Sequence, residues 1–189
     1  MYLAAPCMVT MGMCIVAVDV RGRSFKILAN IEITDKCSGV IFAHGSRFGG
    51  HSLFIKDKKL CYVYNFLGIM PEQRYVSGEL KPGKNTVGME FIREKAGEHF
   101  ESIGTMKLYV NNQEVASGPM RTQAGKFTLT GDGLCVGWDS GDAVSQMYKT
   151  PGDFTGGTIF GVAVSIGKDQ YLDLEKEAQR LMADSIVSL

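Results

Sequence analysis

From Ala43 to Gly68 the chain reads AHGSRFGGHSLFIKDKKLCYVYNFLG, which sets His44, Arg47 and His51 among glycines ahead of two β-prone runs. Histidines can ligate a metal or carry a proton near neutrality. Arg47 can grip a sulfate or a carboxylate through its planar fork. It can also pair with an acid of a neighbouring loop or meet another domain, and these two roles are preferred for an arginine on a glycine-rich corner. Ser46 and Ser52 lie close to the histidines, but no acid partner, strained elbow or oxyanion hole marks a nucleophilic centre. His44 and His51 stand seven apart without converging carboxylates, so no transition metal is expected on them. Tyr62 and Tyr64, beside His51, would stack on the C–H faces of a sugar if exposed. Buried, they would form an aromatic core whose polar tips need partners. Downstream, GWDSGDAVS offers oxygen ligands on Asp139, Ser140 and Asp142. Asp139 and Asp142 are weak calcium candidates, because the glycine spacing of an EF-hand loop is missing. The competing reading is a loop whose aspartates bond their own backbone.

The elements that must position these groups read as strands. A tight turn at Asp57-Lys58 would place Ile55 opposite Leu60, Leu53 opposite Tyr62 and His51 opposite Tyr64, on one shared face. Phe54, Ser52, Cys61 and Val63 take the other face. Both faces are partly apolar, so this hairpin is central. Phe25, Ile27, Ala29, Ile31 and Ile33 alternate along a half-buried strand, with Leu28 opposite. The same period of two runs through GVIFAHG, NTVGMEFI, TMKLYV, QEVASG, KFTLT, GLCVGWD and GTIFGVAVSI. Turns are expected at Asn111-Asn112, Asp132-Gly133 and Lys81-Pro82-Gly83. Many short strands at this spacing predict an antiparallel sandwich or barrel. In DLEKEAQRLMADSI, Leu174, Ala178 and Leu181 recur at helical spacing, and acidic residues crowd the start. A single C-terminal helix is therefore expected.

The 189 residues suit one domain, and 45% hydrophobic with 21% charged residues is ordinary for a globular chain. Twenty basic residues balance twenty acidic ones without a like-charge block. That argues against nucleic acid, whose phosphates demand a basic patch. Five cysteines without a C-x-x-C pair give neither a zinc site nor a disulfide scaffold. Residues 1–18 form an apolar leader of uncertain structure. They lack the basic region of a secretory signal, are interrupted by Pro6 and Gly12, and make no convincing transmembrane span. The compartment stays open, with the cytoplasm slightly favoured.

The opening stretch resembles the C-terminal domain of a group of bacterial arylsulfatases. That domain carries a small-residue turn, Arg-Phe-Gly-Gly, a strand, a Lys-Asp hairpin and Tyr-x-Tyr-Asn. The resemblance extends from VRGRSF at Val20 through LYVN at Leu108, VGWD at Val136 and FTGGTI at Phe154 to YLDLE at Tyr171, about residues 19 to 184. It implies an all-β fold, an antiparallel concanavalin A-like or laminin G-like β-sandwich of the jelly-roll kind. The expected domains are the leader at 1–18, the sandwich at 19–171 and the helix at 172–189, packed on the sandwich. Type I sulfatases need a C/S-x-P-S-R motif for formylglycine, and no cysteine or serine here stands in one. The resemblance therefore implies a non-catalytic accessory domain, with no catalytic residue and no cofactor, and with a sulfatase catalytic domain as its partner. His44, Arg47, His51, Tyr62 and Tyr64 would form a ligand or interdomain surface. The alternative is an independent carbohydrate-binding, lectin-like module with a glycan as partner. A glycoside hydrolase would need a carboxylate pair such as an E-x-D-x-E run supplies, and none is present.

Overall fold

The computed structural model describes residues 7–9, 20–124, 132–139 and 141–167. Its elements are strands: β1 (Cys7–Val9), β2 (Phe25–Ser46), β3 (Gly49–Lys56), β4 (Lys59–Asn65), β5 (Gln73–Glu79), β6 (Gly83–Ala96), β7 (Ser102–Val110), β8 (Gln113–Thr122), β9 (Asp132–Val136) and β10 (Thr155–Ile166). The long β2 organises them. Its first half pairs antiparallel with β6 and β10, and its second half with β3 and β9. Two meanders leave it, β3–β4–β5 and β6–β7–β8. Between the halves lies Gly39, at φ +111°, where an added Cβ would run into the carbonyl of Asp153. Only glycine combines that dihedral with so close an approach. The outer edges of the meanders meet through side chains. Tyr75 Oη donates to Pro119 O at 2.6 Å. The Gln73 amide donates to Arg121 O and accepts the Arg121 N–H, both at 2.8 Å. The sandwich is thus nearly a barrel.

Alternation decides the core. Phe25, Ile27, Ala29, Ile31 and Ile33 are buried, while Leu28 is 37% exposed. They pack between the sheets with Leu53, Leu60, Tyr62, Met89, Phe91 and Leu108. The hairpin β3–β4 has the expected register, His51 against Tyr64, Leu53 against Tyr62 and Ile55 against Leu60. Its outer face is also buried. Val40, Ala43, Phe54, Cys61 and Val63 form a second cluster with Val144, and Tyr148 packs edge-on to Phe54 at 4.9 Å. The segment after β9 covers that face. Burial on both faces, at roughly 25 cal/mol per Å² of apolar surface removed from water, anchors this hairpin.

Three expectations are corrected. The described residues contain no helix, so the sandwich with a C-terminal helix gives way to an all-β architecture; residues 172–189 lie outside the described residues. Helical spacing alone is a weak warrant, since a short helix is marginal without a tertiary face. The two meanders sharing β2 replace the double Greek key of a jelly roll. At Asp132-Gly133, where a turn was expected, β9 begins, with Asp132 paired to Gly45.

Candidate functional site

His44 and His51 are opposed across the β2–β3 ladder, their ring centres 5.7 Å apart and tilted by 53°. His44 is half-buried. His51 is 1% exposed and packs edge-on to Phe25 and Phe42 at 5.5 and 5.0 Å. Its Nδ1 lies 3.2 Å from Tyr62 Oη, and its buried Nε2 has no hydrogen-bond partner among the described residues. Tyr62 and Tyr64 are 0% and 3% exposed. Tyr64 Oη accepts the N–H of Gln123 at 3.0 Å. Loss of hydration dominates the ionisation of the group. Burial pushes His44 down to about 4. It holds His51 well below the ordinary histidine range, with the neighbouring His44 adding to the effect. Both tyrosine hydroxyls are pushed up for the same reason. At neutral pH the cluster is two neutral imidazoles and two phenols, closed at His51 and open to solvent at His44.

Arg47 does not join them. It crests the β2–β3 turn, 63% exposed, with its guanidinium 4.8 Å from the centre of the Phe48 ring and Nε 3.5 Å from Asp142. The turn beneath is shaped by Gly49, at φ +146°, where a Cβ would crowd the Gln123 side-chain oxygen at 2.7 Å. Arg47, Phe48, Leu67, Met70, Asp142 and Lys149 edge an open groove of about 1050 Å³. Phe48, Leu67 and Met70 are exposed there, and Ile69 is exposed next to them in the chain.

The groove floor is rigid. Glu72, whose side chain is 1% exposed, accepts from Arg74 at 3.0 Å, Ser145 Oγ at 2.9 Å and Gln146 N–H at 2.8 Å. Asn65 ties Gly68 N–H at 2.9 Å to the Val144 carbonyl at 3.0 Å. Asp139 turns inward, accepting Val144 N–H at 3.0 Å and the Tyr148 hydroxyl at 2.6 Å. The two calcium candidates therefore point apart: Asp139 is buried in its own loop and Asp142 faces Arg47. Ser140 lies outside the described residues. Among the described residues no three metal-type side chains gather. Cys37 and Cys61 are buried thiols, each pushed up to about 11 by burial. Sequence reasoning passed over Glu72 and Tyr148. Each is a lone polar residue in a loop, and only the fold brings Glu72 to Ser145 and Gln146.

No protein-family description matches the chain, and no curated protein matches it. Among solved structures, domains LG4-5 of the mouse laminin alpha1 chain superpose on it with a TM-score of 0.54. The chain has a laminin G-like fold. The match covers 89% of this chain and 42% of that one at 16% identity, so the chain spans less than half of that neighbour, and the likeness concerns fold alone. The laminin G-like reading agrees with the concanavalin A-like sandwich expected from sequence, whereas the arylsulfatase part of that expectation gains no support from these comparisons. No helix among the described residues is long and apolar enough to cross a membrane.

Proposed function

We propose that the chain is a non-catalytic β-sandwich module and, more finely, the accessory domain of an arylsulfatase-like protein, meeting its catalytic domain through the Arg47 corner. The observation that carries this reading is the burial of Tyr62, Tyr64 and His51, which removes the aromatic platform a sugar would need on that face. Further support comes from where the arylsulfatase-like segments fall. Arg47 and Phe48 at the β2–β3 turn and Asn65 at the end of β4 line one groove, and Asp139 reaches it through Val144, whose carbonyl accepts from Asn65 and whose N–H donates to Asp139. The exposed apolar residues Phe48, Leu67, Ile69 and Met70, edged by Arg47 and Lys149, suit a protein surface with apolar and acidic groups. A second reading has one observation in its favour. Phe48 is 57% exposed beside Arg47, so a lectin-like role would fall on Phe48 rather than on the tyrosines.

The purified chain should not hydrolyse an aryl sulfate. Co-expressed with an arylsulfatase catalytic half whose own C-terminal domain has been deleted, it should co-purify, and Arg47→Ala together with Phe48→Asp should break the complex. A glycan array separates the two readings. Glycan binding that Phe48→Asp abolishes would replace the accessory reading with the lectin-like one.

A further inference from the structure

We infer that His44 and His51 form a two-histidine site for a borderline divalent transition metal ion of the zinc class. The inference is independent of the accessory-domain reading. The sequence spacing hid this pair, because seven residues apart says nothing about proximity until β2 and β3 are put in register. There the two are directly opposed, which brings their Cβ atoms to about 4.5–5.5 Å. Two imidazoles each binding one ion through a single nitrogen at about 2.0–2.1 Å have ring centres roughly 5–6 Å apart. The observed separation is 5.7 Å.

His51 supplies the second observation. Its Nε2 is buried and has no partner among the described residues, which is unusual for a polar atom in a native core. Its other nitrogen faces Tyr62 Oη at 3.2 Å. With Nδ1–H donating to that hydroxyl, the lone pair of Nε2 is left for an ion. This is how an outer partner fixes the tautomer of a metal-binding histidine. The half-buried His44 gives the ion its way in and leaves the remaining coordination positions to solvent on that side. Nitrogen donors select zinc, copper, nickel or cobalt over calcium or magnesium, which demand oxygen. With only two protein ligands the site is weaker than a closed four-ligand structural zinc site.

The test is titration of the whole chain with Co²⁺ alone, followed by absorption spectroscopy, and then displacement by Zn²⁺. The expected result is saturable binding of a single ion, with d–d bands of nitrogen and oxygen ligation and no thiolate charge-transfer band. His44→Phe, which keeps an aromatic ring on the ladder, should weaken binding by roughly tenfold or more. His99→Ala, at the third and exposed histidine, should leave binding unchanged. Should His44→Phe not fold by circular dichroism, NMR of the unaltered chain decides instead: Zn²⁺ should move the His44 and His51 ring signals before those of His99. Absence of saturable binding, a thiolate band, undiminished affinity in a folded His44→Phe, or shifts confined to His99 would each overturn the inference.

Discussion

Acidification from about pH 7 to pH 5 should weaken the sandwich through its two inward histidines. His44 sits at about 4 when folded, against 6.5 for a free imidazole, and burial, with His44 beside it, holds His51 well below the ordinary range too. Between these values the unfolded chain takes up protons that the folded chain refuses, so stability falls as pH falls. For His44 alone the difference reaches about 2 kcal/mol at pH 5. His51 adds to it in the same direction. A loss of that size is a sizeable share of the roughly 5–15 kcal/mol that holds an ordinary domain together. The carboxylates with resolved shifts, Glu101 and Glu114, are lowered and so titrate below this window. Urea unfolding at several pH values in chelator-treated buffer, followed by the single Trp138, measures the slope. His44→Phe should flatten it in part. A free energy of unfolding that stays constant across the window would refute the burial of neutral imidazoles, and an unaltered slope in both His44→Phe and His51→Gln would place its origin elsewhere.

Glu72→Ala should cost about 1–3 kcal/mol in chemical denaturation, because the buried Ser145 hydroxyl and the Gln146 N–H lose their shared acceptor while the exposed Arg74 can turn to solvent; an unchanged free energy of unfolding would show that the groove floor relaxes around the gap. Gly39→Ala should destabilise by more than about 2 kcal/mol, since both its dihedral and the Asp153 carbonyl oppose a Cβ; a melting temperature equal to that of the parent chain would contradict the bend described in β2.

The fold was most legible where alternation and turn chemistry agree. Asp57 and Lys58 adopt φ of 49° and 60°, and Asn111 and Asn112 adopt 49° and 65°. Each pair sits between apolar runs of matching period, so turn and register could be read together. β5 escaped notice. In QRYVSGE the inward positions are Gln73, Tyr75 and Ser77 and the apolar Val76 faces out, so the burial alternates but the apolar residues do not. The continuity of β2 was hidden too. TDKCSG reads as a break by composition, yet its ladder with β10 resumes at Ser38 opposite Thr155. At the site, sequence placed His51 with Tyr64 correctly on one face. It could not place His44 against His51, because that contact depends on the neighbouring strand, nor send Arg47 outward to Asp142.

That single strand also governs how the molecule comes apart. β2 supplies the ladder for β6 and β10 in one layer and for β3 and β9 in the other. β2 runs through both layers, so unfolding either one frays the strand on which the other is built. The two layers therefore do not behave as separate foldons, and local opening is confined to the outlying strands. Amide hydrogens in the stretches of β2 paired on both sides, residues 25–33 and 42–45, should therefore be among the slowest to exchange.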